Sequence, residues 1–206
     1  DEYRRVQQLL ESGSPVVFVT GNAGTGKSTL VQYLRTALQK RLAVVAPTGV
    51  AALNVGGMTV HRWSGMLLGP AKEQDFEQFF AQLARDPKPS VRVAFNRVRR
   101  CKRLVIDEIS MLSGHAFAYL DFHCRKIRDD ERPFGGIQII GTGDFLQLPP
   151  VRTNPAHSYD WAFDSPAWGD AGFLTVELRR IIRQDEPDFV AALAKFRRGD
   201  IDGTTE

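Results

Sequence analysis

A glycine-rich segment near the amino terminus has the residue types and spacing that bind phosphate. Residues 21–28 read GNAGTGKS, which matches the pattern G-x-x-x-x-G-K-[ST] in full. Glycines let backbone N–H groups turn inward around phosphate oxygens, and the amino terminus of a following helix adds positive charge. In this pattern Lys27 reaches the β and γ phosphates and the Ser28 hydroxyl binds Mg²⁺. The segment therefore predicts a nucleotide-phosphate site made by Gly21, Asn22, Ala23, Gly24, Thr25, Gly26, Lys27, Ser28 and Thr29.

Two acids and a glutamine follow later apolar runs and suit the same chemistry. Asp107 and Glu108 come directly after the apolar residues 104–106, and Gln147 follows the run 137–142. An Asp at the end of a strand can hold the waters on Mg²⁺, while a neighbouring Glu can polarise a water that attacks the γ-phosphate. A neutral Gln can hydrogen-bond the γ-phosphate, although a surface residue on a Pro-terminated loop is an equal alternative. With the glycine-rich segment, the acid pair predicts a hydrolase site.

Short apolar runs alternate with helical patterns, and this alternation predicts a parallel sheet with crossover helices. The predicted strands are residues 16–20, 42–46, 103–107, 137–142 and 173–178. The predicted helices, with apolar residues at a period of 3.6, are residues 27–40 and 113–128. Because each strand is almost continuously apolar, we expect both faces of the sheet to be covered. The expected fold class is α/β, with a mostly parallel sheet and helices on both faces.

Residues 66–101 interrupt this alternation and read as a small inserted subdomain. An acidic and aromatic helix is predicted at 73–85, followed by a proline break at 86–89 and a basic helix. We expect three phenylalanines to anchor the first of these helices, namely Phe76, Phe79 and Phe80. A further amphipathic helix is predicted at 185–199.

The positive charge of the chain is concentrated in one segment. The net charge is +3, yet residues 85–103 contain a single acid, Asp86, among the basic residues Arg85, Lys88, Arg92, Arg97, Arg99, Arg100, Lys102 and Arg103. We call this segment the basic stripe. Such a stripe indicates either contact with a polyanion or a solvated helix face.

Composition excludes several classes of protein. With 206 residues, 43% hydrophobic and 25% charged, the chain matches an ordinary globular protein, and no apolar run approaches the roughly 20 residues of a membrane span. Cys101 and Cys124 are the only cysteines, and they form no C-x-x-C pair. We therefore expect reduced thiols, no membrane partner and an intracellular location, cytoplasmic in a bacterium and nuclear or mitochondrial in a eukaryote. His115, His123 and His157 have no metal-ligand spacing, and Trp161, Phe163 and Trp168 read as packing residues.

Taken together, the motifs resemble the petite-integration-frequency (PIF) helicases of superfamily one. The segments occur in that family's order: GNAGTGKS (21–28), APTGVAAL (46–53), MTVHRWSG (58–65), LVIDEISML (104–112), PFGGIQIIGTGDFLQLPPV (133–151) and LRRIIRQ (178–184). The resemblance covers essentially the whole chain. It implies a RecA-like P-loop NTPase that binds ATP and Mg²⁺ and is the first motor domain of an ATP-dependent DNA helicase.

The resemblance also implies roles for individual residues. The catalytic residues would be Lys27, Glu108, Gln147 and Arg183, of which Gln147 would sense the γ-phosphate. Ser28 and Asp107 would bind the metal ion. The path of single-stranded DNA would be lined by Pro47, Thr48, Gly49, Thr59, His61 and Trp63. Two features depart from the family. Trp63 stands where Phe is usual and would stack on a base, and the nearest candidates for an adenine-reading Gln, Gln7 and Gln8, do not match the usual spacing.

The same resemblance divides the chain into parts. Residues 1–65 and 102–178 would form the first RecA-like domain, residues 66–101 an inserted subdomain that helps to split the duplex, and residues 179–206 the start of a second RecA-like domain. Expected partners are single-stranded DNA, junctions of single and double strands, and that second domain, in a monomer. Roles in DNA repair, recombination and telomere maintenance are implied at the level of the family. The 206 residues alone would hydrolyse ATP weakly or not at all.

Two other functions remain open on the sequence alone. A small-molecule kinase could use the same phosphate loop, although no Arg-rich lid is evident. A DNA-binding module could retain nucleotide with little turnover.

Overall fold

The fold is built on a six-stranded sheet in which every paired strand is parallel. The computed structural model describes residues 2–38, 42–66, 73–150 and 158–179. The strands are β1 (Val16–Gly21), β2 (Leu42–Ala46), β3 (Met58–Thr59), β4 (Arg103–Ile106), β5 (Gln138–Thr142) and β6 (Leu174–Leu178). Their order across the sheet is β3-β2-β4-β5-β1-β6. All five strands that the apolar runs predict are present, and β3, which has only two residues, is an addition.

Eight α-helices connect and cover these strands in the described parts of the chain. They are α1 (Glu2–Glu11), α2 (Lys27–Ala37), α3 (Gly49–Asn54), α4 (Val60–Ser64), α5 (Phe76–Ala84), α6 (Pro89–Arg100), α7 (Gly114–Arg128) and α8 (Pro166–Ala171). Short 3₁₀ turns lie at Glu73–Asp75, Ile109–Met111, Pro133–Gly136 and Ala162–Asp164. The helix predicted at 27–40 ends at Ala37, and the helix predicted at 185–199 lies outside the described residues.

The sheet separates two apolar clusters, since successive side chains of a strand point to opposite faces. On one face, Leu30 and Leu34 of α2 and Val6 of α1 pack against Val17 and Val19 of β1. On the other face, helices α4 to α8 pack against alternate strand residues such as Phe18, Leu104 and Ile106. The predicted α/β class with helices on both faces is confirmed.

Helices α5 and α6 lie in the segment predicted to be an inserted subdomain; we call them the inserted pair, and they pack on α7 through aromatic rings. The centroids of the Phe76 and Tyr119 rings are 4.8 Å apart, and Phe80 lies edge-on to His123 at 5.5 Å, while Phe80 and Phe95 stack on each other within the pair at 5.9 Å. Phe76 is buried, and Phe79 and Phe80 are partly buried against the same cluster that covers the sheet. The predicted anchoring by these three phenylalanines is confirmed.

Arg128 of α7 fastens the carboxyl end of α6. Its guanidinium donates hydrogen bonds to the backbone oxygens of Val98, Arg99 and Cys101 at 3.2, 3.0 and 2.9 Å, and to that of Gly135. Carbonyls at the end of a helix lack partners within the helix, so this side chain stabilises the end of α6. Among the helices in the described ranges, none combines the length and apolar character that crossing a bilayer requires.

Candidate functional site

The strand order brings the three phosphate-related segments to one place. The glycine-rich loop follows β1, the acid pair follows β4, and Gln147 follows β5, while β4, β5 and β1 are neighbours in the sheet. Because the strands are parallel, their carboxyl ends meet at a single edge. Ligands of open parallel sheets bind at such an edge. The structure therefore collects residues that are more than a hundred positions apart in the sequence.

The glycine-rich loop leads from β1 into α2, as the phosphate motif predicts. Gly24 and Gly26 have φ of +80° and +92°, in the left-handed region that glycine adopts at little cost. The Lys27 side chain is buried, and its ammonium donates to the backbone oxygens of Gly21 at 2.7 Å and Asn22 at 3.2 Å. The Tyr3 hydroxyl of α1 donates to Gly26 O at 2.7 Å and ties the loop to α1. Ser28 and Thr29 are exposed on the first turn of α2.

Asp107 and Glu108 lie beside the lysine at the end of β4. Asp107 is 4% exposed and accepts a hydrogen bond from the Thr142 hydroxyl at 2.5 Å. Burial raises the pKa of both carboxyl groups, and the charge of Asp107 raises the pKa of Glu108 further. The Lys27 ammonium lowers the pKa of each, which shows that the three charges share one site.

Glu108 has an unusual backbone conformation. Its φ is +51° and its ψ is +43°, where a residue with a side chain is uncommon. A conformation of this kind costs of order 1–3 kcal/mol and clusters at functional sites, because the surrounding fold must maintain it. Here the 3₁₀ turn Ile109–Met111 begins directly after Glu108, with Ile109 fully buried, so the turn fixes where the carboxylate emerges.

Gln147 is exposed and is held by a neighbouring acid. Its Nε2 donates to Asp144 Oδ2 at 2.9 Å, and the backbone N–H of Leu146 donates to Asp144 Oδ1 at 3.1 Å. Asp144 is 1% exposed, and its charge also raises the pKa of Glu108. Asp144 and Thr142 are site residues to which sequence reasoning assigned no role. Their position at the carboxyl end of a strand beside the acid pair is the signal that could have identified them.

Aromatic packing supports the loop that carries Gln147. Phe145 packs edge-on against Phe163 at 4.8 Å and against Trp168 at 5.8 Å, and Trp161 stacks near Phe163 at 5.7 Å. The three aromatic residues predicted to pack, Trp161, Phe163 and Trp168, do so. They anchor Phe145 between Asp144 and Gln147.

The acid pair and the first turn of α2 supply the oxygen atoms that a magnesium ion would use. Mg²⁺ is held in proteins by one or two carboxylates or hydroxyls, substrate phosphates and water. Ser28 and Asp107 carry oxygen ligands of this kind. Asp107 is desolvated and has one lysine beside it, so a bound cation would further stabilise its negative charge. Within the described residues there is no group of three or more His, Cys, Asp and Glu side chains that could bind a metal by itself. Arg183 lies outside the described residues.

Most of the residues expected along a DNA path lie at the same edge of the sheet. Pro47, Thr48 and Gly49 follow β2, and Thr59 ends β3, its neighbour. Each threonine caps a helix: Thr48 Oγ1 accepts from Ala51 N, and Thr59 Oγ1 accepts from Arg62 N, both at 3.2 Å. These caps begin α3 and α4 directly after β2 and β3, at the carboxyl edge of the sheet.

His61 and Trp63 of α4 differ in exposure. His61 is half-buried, and burial lowers its pKa. Trp63 is only 2% exposed and belongs to the apolar cluster beneath α4 to α8. In this structure the Trp63 ring packs in the core and has no face exposed for stacking on a base, so a contact of Trp63 with DNA stays a prediction that its burial does not support.

The basic stripe lies mainly on α6 and faces solvent. Arg92, Arg99 and Arg100 are exposed, and Ala94, Phe95 and Val98 on the opposite side of the helix are buried. Arg97 is half-buried and donates to Arg62 O at 2.8 Å. Contact of the stripe with a polyanion stays a prediction.

Comparisons with known proteins match the whole chain to one family. The family model of the PIF1-like helicases matches residues 3–205. The ATP-dependent DNA helicase PIF1 of Saccharomyces cerevisiae is 39% identical over 211 residues, which cover 100% of this chain and 24% of that protein. The human ATP-dependent DNA helicase PIF1 is 40% identical over 185 residues, which cover 89% of this chain and 27% of that protein. The chain thus spans about a quarter of the length of the curated relatives that it matches.

Solved structures agree with the sequence comparisons. The crystal structure of Pif1 helicase from Candida albicans matches with a TM-score of 0.85 and 38% identity, over 98% of this chain and 44% of that one. A Bacteroides Pif1 helicase in complex with ADP-AlF3 and single-stranded DNA matches with a TM-score of 0.85 and 32% identity, over 98% of this chain and 47% of that one. Sequence, fold and site geometry lead to one assignment: this chain belongs to the PIF1-like helicase family.

Proposed function

We propose that the chain is the first motor domain of an ATP-dependent DNA helicase. It binds ATP with Mg²⁺ at the carboxyl edge of the sheet and single-stranded DNA along the neighbouring strand ends. In the whole protein, hydrolysis drives translocation and unwinding. The observation that carries the proposal is the position of Lys27, Asp107 and Glu108 in one electrostatically coupled site at adjacent strand ends.

Lys27 and the glycine-rich loop hold the phosphates. The Lys27 ammonium lies over the backbone oxygens of Gly21 and Asn22, within reach of any anion that the loop binds. Backbone N–H groups at the start of α2 complete an anion site, because they point along the helix axis toward the loop. When the β and γ phosphates bind, the Lys27 ammonium would donate its hydrogen bonds to phosphate oxygens instead of to the two carbonyl oxygens. Phosphate oxygens are the stronger acceptors.

Ser28 and Asp107 would hold the magnesium ion. When bound, the ion neutralises developing negative charge on the phosphates. Thr142 supports this role, since its hydroxyl donates to Asp107 and fixes the orientation of the carboxylate.

Glu108 is the residue that accepts a proton from the attacking water. Burial and the nearby charge of Asp107 raise its pKa, which makes the carboxylate a stronger base than an exposed glutamate. Gln147 extends from the next strand end, where Asp144 holds its amide. A γ-phosphate at this position would compete with Asp144 for the Gln147 amide, so the loop after β5 would respond to the presence of that phosphate.

Single-stranded DNA is proposed to pass over Pro47, Thr48, Gly49, Thr59 and His61. These residues follow β2 and β3, immediately beside the strands that carry the nucleotide site. Relatives solved with single-stranded DNA, and one described as unwinding forked double-stranded DNA, support single strands and junctions as ligands. Roles in DNA repair, recombination and telomere maintenance are proposed from the resemblance to the family alone.

A second RecA-like domain is the proposed partner of the Gln147 loop. Leu146 and Leu148, on either side of Gln147, are 60% and 68% exposed, which is unusual for leucines next to a buried acid. An apolar contact here would couple the sensor loop to a neighbouring domain. Arg183 would contribute positive charge at the γ-phosphate, as arginines do in other phosphoryl-transfer enzymes.

The decisive experiment measures ATP hydrolysis with and without single-stranded DNA in the longest natural form of the protein. We expect DNA to stimulate hydrolysis and Glu108→Gln to lower turnover by about 10²-fold or more, while nucleotide binding is kept. Glu131→Gln is the matched control, because it neutralises an exposed glutamate outside the site.

Two results would contradict the proposal. Full turnover in Glu108→Gln would show that Glu108 is not the base. A rate of hydrolysis that is the same with and without DNA would show that hydrolysis is not coupled to a DNA strand. Phosphate transfer to a small acceptor without a response to DNA would indicate a kinase, whereas DNA binding with negligible turnover in every form would indicate a binding module.

A further inference from the structure

A pocket of about 490 Å³ opens at the lateral edge of the sheet. Its apolar lining comes from Leu42 and Val44 of β2, Met58 of β3 and the edge of Trp63 in α4. Leu42 to Val44 form the first half of β2, whereas the residues proposed to contact nucleotide and DNA follow the other end of the strands. The pocket therefore lies away from the proposed ATP site, and it adjoins the proposed DNA path at Met58, which directly precedes Thr59.

The pocket exists because the edge strand is short. β3 pairs only Met58 with Val45 and Thr59 with Ala46. The first three residues of β2 pair with β4 on one side and, in the part of the chain that the structure describes, with no strand on the other. Gly57 lies against the Val44 carbonyl, so among the described residues the outer side of β2 is open at Leu42 and Ala43, and the apolar side chains around these two residues form the floor.

Three arginines surround this floor. Arg35 reaches it from α2 and Arg97 and Arg100 from α6, so the positive charges approach from opposite faces of the sheet. Arg35 donates to Val55 O at 3.2 Å and Arg97 donates to Arg62 O at 2.8 Å. Backbone oxygens orient these two guanidinium groups but leave their charges uncompensated.

The charge at the pocket is unbalanced. No described lining residue is acidic, and none of the ion pairs within the described ranges includes Arg35, Arg97 or Arg100. Guanidinium groups form bidentate hydrogen bonds with carboxylates, and such pairs strengthen beside apolar surface, where water is partly excluded. The complementary ligand is an anion that also carries an apolar group.

We propose that this pocket binds an acidic peptide segment of a partner protein. One apolar side chain of the segment packs on Met58 and Leu42, and its flanking carboxylates contact Arg35 on one side and Arg97 and Arg100 on the other. An extended chain along the open side of β2 would meet both sets of arginines at once. The volume is in the range of specific ligand pockets.

Nucleic acid fits the pocket less well. Base recognition in single strands relies on an aromatic face for stacking, and Trp63, the aromatic residue in the described lining, is only 2% exposed. Arg35 also lies on the face of the sheet opposite the basic stripe, so the charge at the pocket is more than the end of that stripe.

Fluorescence anisotropy with synthetic peptides tests the proposal. The probe is a labelled peptide with one phenylalanine between two runs of aspartate. Its controls replace the phenylalanine with serine or the aspartates with asparagine. We expect the probe to bind at least about tenfold more tightly than either control, and Arg35→Glu to weaken binding by about tenfold or more. Arg100→Glu, an exposed second variant, should act in the same direction, whereas Arg99→Glu, exposed on the same helix outside the pocket, should change affinity less than about twofold.

The outcomes separate this site from the nucleotide and DNA sites. Equal binding of the probe to wild-type protein, Arg35→Glu and Arg100→Glu would overturn the proposal, as would equal binding of the asparagine control. If the two variants lose affinity for single-stranded or duplex DNA and the probe does not bind, the pocket contacts nucleic acid and the proposal is wrong. Thermal unfolding of each variant, followed by circular dichroism, verifies that the fold is intact.

Discussion

His123 on α7 is a buried titratable side chain with no access to water. It is fully buried, with the rings of Phe80 and Phe95 edge-on to it at 5.5 and 5.4 Å. Its Nε2 lies 3.0 Å from Ser64 O, and because a carbonyl only accepts, this nitrogen carries the proton. Burial lowers the pKa to about 4 from the ordinary 6.5, since a charge here would be desolvated.

The buried imidazole predicts loss of stability in mild acid. In the unfolded chain His123 takes up a proton below about pH 6.5, whereas in the folded protein it does so only near pH 4. The unfolded state therefore binds more protons in this window, and the free energy of unfolding falls as pH decreases, by up to about 3 kcal/mol. Urea denaturation at several pH values between 7 and 4 measures this decrease in the free energy of unfolding.

A variant isolates the contribution of this one residue. His123→Gln cannot titrate but can still donate to Ser64 O, so its stability should depend less on pH than that of the wild type. His115→Gln makes the same change at a half-buried histidine on the same helix and is the control. An identical pH dependence in His123→Gln and wild type would show that the imidazole is not responsible.

Single residues also show where sequence reasoning succeeds and fails. The chemistry of Lys27, Asp107 and Glu108 could be predicted because residue type and spacing define it. The burial of Trp63 could not, since it depends on which way a five-residue helix turns against a core built from distant segments. The role of Asp144 was missed because its partners become visible only when the loop after β5 is folded.

At the scale of elements, one side chain from α7 holds the carboxyl end of α6, in addition to the apolar packing of that helix. Arg128 donates to three carbonyls at the end of α6 and to Gly135 O, so a single guanidinium joins the inserted pair to the main body. Rings of α5 and α7 add apolar contact on the other side of the pair. The position of the basic stripe relative to the sheet is thereby fixed.

Removing the Arg128 guanidinium should destabilise the protein. Arg128→Ala leaves partly buried carbonyls without a donor, and we expect the free energy of unfolding to fall by about 2–4 kcal/mol. Lys126→Ala is a matched control on the same helix, because its ion pair with Glu77 is on the surface and contributes about 0.5 kcal/mol. Chemical denaturation of the three proteins measures the difference. Equal losses in both variants would show that Arg128 does not carry the attachment.

Helices and strands could be predicted where their packing requires a recognisable pattern of apolar residues in the local sequence. β1, β4 and β5 are covered on both faces, which requires a continuous apolar run and makes such strands easy to recognise. β3 was missed because two residues are too few to form a pattern. α2 ends earlier than predicted, since Leu38 continues the apolar spacing yet has non-helical backbone angles.

For the whole molecule, the proposed function predicts weak activity of the 206-residue chain alone. Unwinding in this family is proposed to need the second RecA-like domain, and the chain spans only about a quarter of its curated relatives. The second RecA-like domain would supply further arginines at the γ-phosphate, and such arginines contribute about 10³ to 10⁵ in rate in related chemistry, so we expect slow hydrolysis and no strand separation by the 206 residues. Steady-state ATPase and forked-duplex unwinding assays, compared with the longest natural form, measure both. Rapid unwinding by the 206 residues would refute the prediction.

The order of the strands is the part of the fold that local patterns could not supply. Alternating strands and helices predict parallel pairing, but which strands become neighbours depends on contacts between residues far apart in the chain. In the sheet, Val16 lies beside Ile139 and Val17 beside Leu174, although the residues of each pair are far apart in the sequence. The sequence motifs could therefore identify the phosphate-related residues, but they could not predict that these residues lie next to one another in the fold.

This strand order has a consequence for synthesis of the chain. Among the strands that the structure describes, β1, which leads into the phosphate loop, pairs with β5 and β6, and these two come last in the sequence. A growing polypeptide that has left the ribosome only through β4 contains the complete loop motif but lacks both neighbours of the strand that supports it. The apolar β1 must wait for most of the domain to be translated, and during that interval it is a natural target for chaperones.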